Sequence, residues 1–244
     1  MKYLAHQAQS VRDSGRGRVV FIMGEGGSGK TRCMEEFRTR LLLDGWRVFE
    51  SSCMSSEHGS YGPFRRFLQW TDVLYGVESS DRTAGELFRF EDYPRVADKE
   101  AQVLTTEFAV GHFRDWITRE LVRRLADRPT ALMLHDFHWA DEATAAVLGY
   151  LIADVAQHPV LLCVSGRTGG EDGSWLAKVM EQAVKQEYGE ILALEPLSPS
   201  AARAMIDSMA GADFGELVSP YVVGASGGNP FFIEQILKQL AERG

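Results

Sequence analysis

The sequence is poor in cysteine and has no long apolar run. Cys33, Cys53 and Cys163 are the three thiols in 244 residues. An odd, sparse set in apolar surroundings excludes a disulfide framework and suits buried thiols in a reducing compartment. No apolar run approaches the roughly 18 residues that a membrane-crossing helix needs. Met1 to Arg18 is polar and lacks a secretory apolar core. These absences predict a cytoplasmic chain with no membrane partner. A basic excess is missing too. Lys and Arg number 26 against 34 Asp and Glu, a formal net charge of −8, which argues against direct nucleic-acid binding by this segment. Internal repeats and low-complexity tracts are absent. The length suits one large α/β domain, or a domain plus a small partner.

Against that background one stretch organises the chain. Val19 to Thr31, VVFIMGEGGSGKT, fits the phosphate-loop pattern G-x-x-x-x-G-K-[ST]. Arg18 to Met23 reads as a buried parallel strand, and Thr31 to Leu43 as a helix with Met34, Phe37, Leu41 and Leu42 turned inward. A polyphosphate packs several charges into a small volume. Backbone N–H groups wrap it only where no Cβ intrudes, which explains Gly24, Gly26, Gly27 and Gly29. The helix N-terminus that follows favours an anion. Lys30 is placed to reach the β- and γ-phosphates, and the Thr31 hydroxyl to bind Mg²⁺. The candidate nucleotide-binding residues are Gly24, Glu25, Gly26, Gly27, Ser28, Gly29, Lys30, Thr31 and Arg32.

The rest of the chain supplies the frame. Met1 to Ser14 reads as a helix with Leu4, Ala8 and Val11 on one face, ended by Gly15 and Gly17. Trp46 to Cys53 reads as a second strand. Phe64 to Val73 reads as a helix, Gly76 to Lys99 as loop, and Glu100 to Asp127 as a long helix. In that last stretch Arg114, Arg119, Arg123 and Arg124 read as a solvated face with Asp115 and Glu120 nearby. Thr130 to Asp136, Pro159 to Ser165 and Ile191 to Leu194 are further strands. Helices fit Glu142 to Ala156, with Asp141 as N-cap, and Trp175 to Gln186. After Pro196 three helical patterns follow without strands: Ser198 to Met209, Glu216 to Ala225 and Pro230 to Arg243. Alternating strands and helices predict a doubly wound parallel sheet, whose ligands sit at the C-terminal ends of the strands. The expected division is a core over 1–195 and a small helical lid over 196–244.

Two further residues fall at such strand ends. Asp136 is placed to hold Mg²⁺ or its water, or to polarise an attacking water. Arg167 is placed to contact a γ-phosphate. With Lys30 they form the expected catalytic set, and Thr31 with Asp136 the expected metal ligands. His135, His138 and Asp141 suggest a transition-metal site at first sight, but the spacing straddles a strand end and a loop. His138 and Trp139 are expected to pack against the sheet.

The segment TALMLHDFHWAD resembles the Walker B region of the signal-transduction ATPases with numerous domains (STAND), in the branch of large LuxR-type regulators and of ATPases attached to adenylyl cyclases and kinases. RGRVVFIMGEGGSGKTRCMEEF is similar to that branch's Walker A region. Arg167 matches its sensor arginine, Tyr61 to Phe64 its tyrosine-x-proline-phenylalanine turn, and Gly228–Asn229–Pro230–Phe231–Phe232 its glycine-x-proline motif. The resemblance implies a three-layer, AAA+-like phosphate-loop fold with a five-stranded parallel sheet in the order 5-1-4-3-2. It implies Pro230 near the nucleotide base, ATP and ADP with Mg²⁺ as cofactors, an ADP-bound resting state and an ATP-dependent oligomer as a candidate state. Two departures matter. Members usually carry two acids where this chain has His135–Asp136, and neutral imidazole is a poor Mg²⁺ ligand. The motif expected just before Met1 and the domains expected after Gly244 are not in the sequence, so the chain reads as a fragment whose effector and output domains lie elsewhere.

The expected function is a regulatory ATPase module that binds Mg-ATP, hydrolyses it slowly and couples nucleotide state to signalling or transcription control. The alternative is a nucleotide-binding scaffold with little or no hydrolysis, motivated by His135. A small-molecule kinase is disfavoured because Arg203 is the one arginine between Pro196 and Arg243. A GTPase is disfavoured because no Asn-Lys-x-Asp segment is present.

Overall fold

The computed structural model describes residues 1–53, 61–64, 66–68, 118–125, 128–168 and 175–243. The expected loop at 76–99, most of the expected helix at 100–127 and the end of the helix begun at Phe64 lie outside these residues.

Five strands form one parallel sheet. They are β1 (Arg18–Gly24), β2 (Arg47–Ser52), β3 (Thr130–His135), β4 (Val160–Arg167) and β5 (Gly189–Leu194). Their order is β2-β3-β4-β1-β5, the expected order read from the other edge. Such a sheet is covered on both faces, so its central strands β3, β4 and β1 carry apolar residues without polar alternation, while the edge strands β2 and β5 are partly exposed. The period of two instead sorts them between two cores. Val19, Phe21 and Met23 of β1 join Leu132, Leu134, Leu162 and Val164 on one face. Val20 and Ile22 join Ala131, Met133, Leu161 and Cys163 on the other. Each fully buried Val, Leu, Ile or Phe contributes about 1.5–3 kcal/mol.

The helices divide accordingly. α1 (Lys2–Ser14) and α2 (Lys30–Leu43) cover the second face through Leu4, Ala8, Val11, Met34, Phe37 and Leu41. Leu42, expected inward, is 45% exposed, because it follows Leu41 by 100° around the helix. α3 (Glu142–Val155) and α4 (Trp175–Lys185) cover the first face, with Phe64, Phe67, Leu121 and Leu125 from the helical pieces at 62–64, 66–68 and 118–125. In the last piece Glu120 binds both Arg123 and Arg124, so these charges pair locally as expected. Asp141 caps α3 by accepting from Thr144 N–H at 2.7 Å.

The chain ends in α5 (Pro199–Ala210), α6 (Ala212–Ser226) and α7 (Pro230–Arg243). These pack on one another through Ala202, Ile206, Val222, Ile233 and Leu237, a cluster separate from both sheet cores. α6 begins four residues before the expected Glu216. Gly211 turns the chain at φ +86° and Asp213 favours the first turn. The helix then runs through Pro220. Among the described residues no helix is long and apolar enough to cross a membrane.

Two glycines near the chain start serve different ends. Gly15 takes a left-handed φ of +65° and returns its N–H to Val11 O, closing α1. Gly17 instead gives clearance: a Cβ there would lie 2.1 Å from Val155 O and 2.9 Å from Val160 O. Both contacts are backbone, where α3 ends and β4 begins, and cannot rotate away. Gly17→Ala is therefore expected to lower stability by about 1–3 kcal/mol, read as a lower denaturant midpoint at unchanged slope.

Candidate functional site

β1 ends at Gly24 and α2 starts at Lys30, leaving five residues to turn the chain. Gly29 sits at the N-cap with φ +92°, and no side chain caps the helix. The first N–H groups of α2 are thus not claimed by a cap and face the loop's concave side. Gly27 also has positive φ, +80°. It has no room for a side chain, since a Cβ would lie 2.6 Å from Phe231 Cβ and 2.8 Å from Asn229 Oδ1.

Lys30 is buried, and its ammonium donates to Gly24 O at 2.9 Å and to Glu25 O at 2.7 Å. Burial lowers its pKa; the Arg167 charge adds to that effect and Asp136 opposes it. A buried cation held only by carbonyls, beside a second cation, is a place where an anion is electrostatically welcome. Ser28 Oγ is buried without a hydrogen-bond partner among the described residues.

The sheet order brings the distant residues here. Because β4 lies between β1 and β3, Arg167 pairs in register with Gly24, and β3 ends one strand further along. Arg167 Cζ lies 4.0 Å from where a Gly26 Cβ would be, and Thr168 N–H donates to Gly24 O at 3.3 Å. Asp136 follows β3 in a left-handed conformation, φ +53°, which Asp tolerates better than most residues. Its N–H donates to Ser165 Oγ at 3.0 Å. β3 thus stops at His135 rather than running through Asp136 as expected, and the turn swings Asp136 to the loop.

One cavity of about 1020 Å³ is lined by Gly26, Gly27, Ser28, Gly29, Lys30, Thr31 and Arg32 together with Asp136, Arg167 and Pro230. Gly24 and Glu25 do not line it; they act through the carbonyls that hold Lys30. Away from the loop the wall is mostly apolar, with Leu194, Leu197, Met205 and Met209 beside Ser208 and Glu234. Such a cavity, charged at one end and apolar at the other, suits a phosphorylated ligand with a flat, weakly polar group.

His135 is turned away from this arrangement. Its Nε2 lies 3.2 Å from Glu50 Oε1, and Glu50 Oε2 is held by Arg38 at 2.7 Å. The position where a second acid is expected thus engages β2 instead. His138 has both ring nitrogens buried without a partner among the described residues, and burial lowers its pKa against the pull of Asp136. Trp139, expected to pack on the sheet, is 60% exposed, because the short 3₁₀ turn Phe137–Trp139 puts only Phe137 into the core. Sequence reading missed Ser165, Asn229 and Phe231. The last two sit in the motif that flagged Pro230, and their polar and backbone groups were the available signal.

The family described as "AAA ATPase domain" matches residues 2–164. No curated protein matches. Among solved structures, a variant of RuvB from Thermotoga maritima is similar over 99% of this chain and 60% of its own, at 13% identity and TM-score 0.57. The Aeropyrum pernix ORC2 protein, in ADPNP and ADP complexes, is similar over 99% of this chain and 62% of its own, at 14% identity and TM-score 0.56. A STAND protein with a tetratricopeptide repeat sensor from Pyrococcus horikoshii is similar over 93% of this chain and 28% of its own, at 13% identity and TM-score 0.50. The chain spans about 60% of the length of the first of these. At such identities the structural likeness speaks to the phosphate-loop fold alone, whereas the family match covers the loop, β3 and most of β4. By that match, this chain belongs to the AAA ATPase domain family, the nucleotide-binding phosphate-loop class.

Proposed function

We propose that this chain is the ATP-binding module of a regulatory protein. It hydrolyses ATP slowly, and its nucleotide state sets how a helical lid (196–244) sits on the core (1–195). The observation that carries the reading is the convergence of Lys30, Asp136, Arg167 and Pro230 on one cavity from four distant parts of the sequence. Lys30 and the α2 N-terminus bind the phosphates. Arg167 contacts the terminal phosphate and registers its presence. The apolar wall with Pro230 takes the base. Thr31 and Asp136 offer a hydroxyl and a carboxylate, the hard oxygen donors that Mg²⁺ prefers. Bound there, Mg²⁺ supplies charge neutralisation at the phosphates. Asp136 orients the attacking water and accepts its proton.

A switch needs two arrangements that nucleotide favours unequally. The last three helices have their own core, and α5 and α7 line the cavity from one side, which supports that role. We propose a cytoplasmic setting, effector and output domains elsewhere in the protein, and an ATP-dependent oligomer as its active form.

A second reading is a nucleotide-binding scaffold without useful turnover. The engagement of His135 by Glu50 favours it, since the strand end then offers Mg²⁺ one acid instead of two.

Lys30→Ala is expected to weaken ATP and ADP binding by roughly 10- to 100-fold, the loss of a charge-assisted contact. Equal binding by the two proteins in calorimetry would remove the phosphate site from consideration. Asp136→Asn should leave ATP binding in place and cut steady-state phosphate release by about 10²–10⁴-fold. If the parent releases no phosphate while binding ATP, the scaffold reading holds. His135→Asp is expected to raise phosphate release in either case.

A further inference from the structure

Phosphate binding requires the loop to turn backbone N–H groups inward. A trans peptide unit is planar, and its C=O and N–H point in opposite directions. An inward N–H on one residue therefore means an outward C=O on the residue before it. That outward carbonyl needs a donor of its own.

The start of α7 supplies two such donors. Asn229 Nδ2 donates to Gly26 O at 2.9 Å, and Phe231 N–H donates to Gly27 O at 3.3 Å. The peptide units held in this way are Gly26–Gly27 and Gly27–Ser28. Ser28 N–H is already given to Glu25 O at 3.2 Å, so the Gly26–Gly27 unit, held by Asn229, is the one whose N–H is left for an anion among the described hydrogen bonds. Asn229 is itself fixed. It is 8% exposed, and its Oδ1 accepts from Phe231 N–H at 3.0 Å. That bond caps α7, with Pro230 at the first helical position. Asn229 thus faces two ways, its carbonyl oxygen to its own helix and its amide to the loop. The approach is close enough that Gly27 has no space for a Cβ.

We propose that Asn229 is a positioning residue of the nucleotide site: through Gly26 it holds the phosphate cradle open to an anion, and so ties phosphate affinity to the docking of α7. The inference rests on the nucleotide-binding reading given above. Coupling of this kind is reciprocal. Whatever affinity docked α7 lends the cradle, bound nucleotide returns as tighter docking of α7.

Asn229→Ser separates the two faces of the residue without adding charge. Serine keeps an oxygen that caps α7 but has no amide to reach Gly26 O. It is expected to bind ADP and ATP roughly tenfold more weakly, the loss of one buried hydrogen bond, with a small fall in the thermal midpoint. In hydrogen exchange, ADP should protect the first turns of α7 in the parent protein and protect them less in the variant. Asn229→Ala loses the cap as well, so it should show the same loss of affinity with a lower midpoint. Parent-like ADP affinity in Asn229→Ser would overturn the proposal. So would normal ADP binding by the parent without added protection of α7. A parent protein that binds no nucleotide would overturn the nucleotide-binding reading, and this proposal with it.

Discussion

A cradle made of backbone amides depends on the hydrogen bonds behind it. Each N–H turned toward a phosphate leaves a carbonyl pointing the other way, and that carbonyl needs a donor. Within the loop Ser28 N–H goes to Glu25 O. Lys30 takes the oxygens of Gly24 and Glu25 from the cavity side, Thr168 N–H also reaches Gly24 O, and Asn229 and Phe231 take the oxygens of Gly26 and Gly27. The loop is therefore clasped between its own lysine and a helix that begins 200 residues later. Glycine at position 27 is what lets that helix approach.

The sheet order does the remaining assembly. Inserting β4 between β1 and β3 sets Gly24 beside Arg167 and leaves Asp136 one strand away. Parallel strands end at the same edge, so all three C-terminal ends open into one crevice. Hydrophobic burial on both faces fixes this order. The side chains of Asp136 and Arg167 at the edge lie outside those cores and are free to carry chemistry. His135 shows the limit of that freedom. It sits at the same edge, yet Glu50 and Arg38 draw it to the neighbouring strand.

Much of this could be read from the sequence, and for a physical reason. The central strands are nearly continuous apolar runs bounded by glycine and proline, and the loop pattern admits few alternatives. Asp141 was legible as a cap because capping is local. What escaped reading was set by tertiary contact. Leu42 and Trp139 are apolar yet exposed, since burial depends on which face meets a neighbour. The early start of α6 was hidden by Gly215, which looks like a breaker. Asn229 was passed over for the proline beside it. Its importance comes from a carbonyl 203 positions away, and no periodicity marks such a pair. Ser165 is a similar case, visible only once β4 lies against the end of β3.

The last three helices have a consequence of their own. Their apolar residues form a cluster apart from the two that cover the sheet. Their described polar ties to the loop are those of Asn229 and Phe231. Two bodies so joined need not lose structure together. Heating should disorder the smaller one first, and cooperative unfolding of the whole would then be a property conferred by a ligand that touches both.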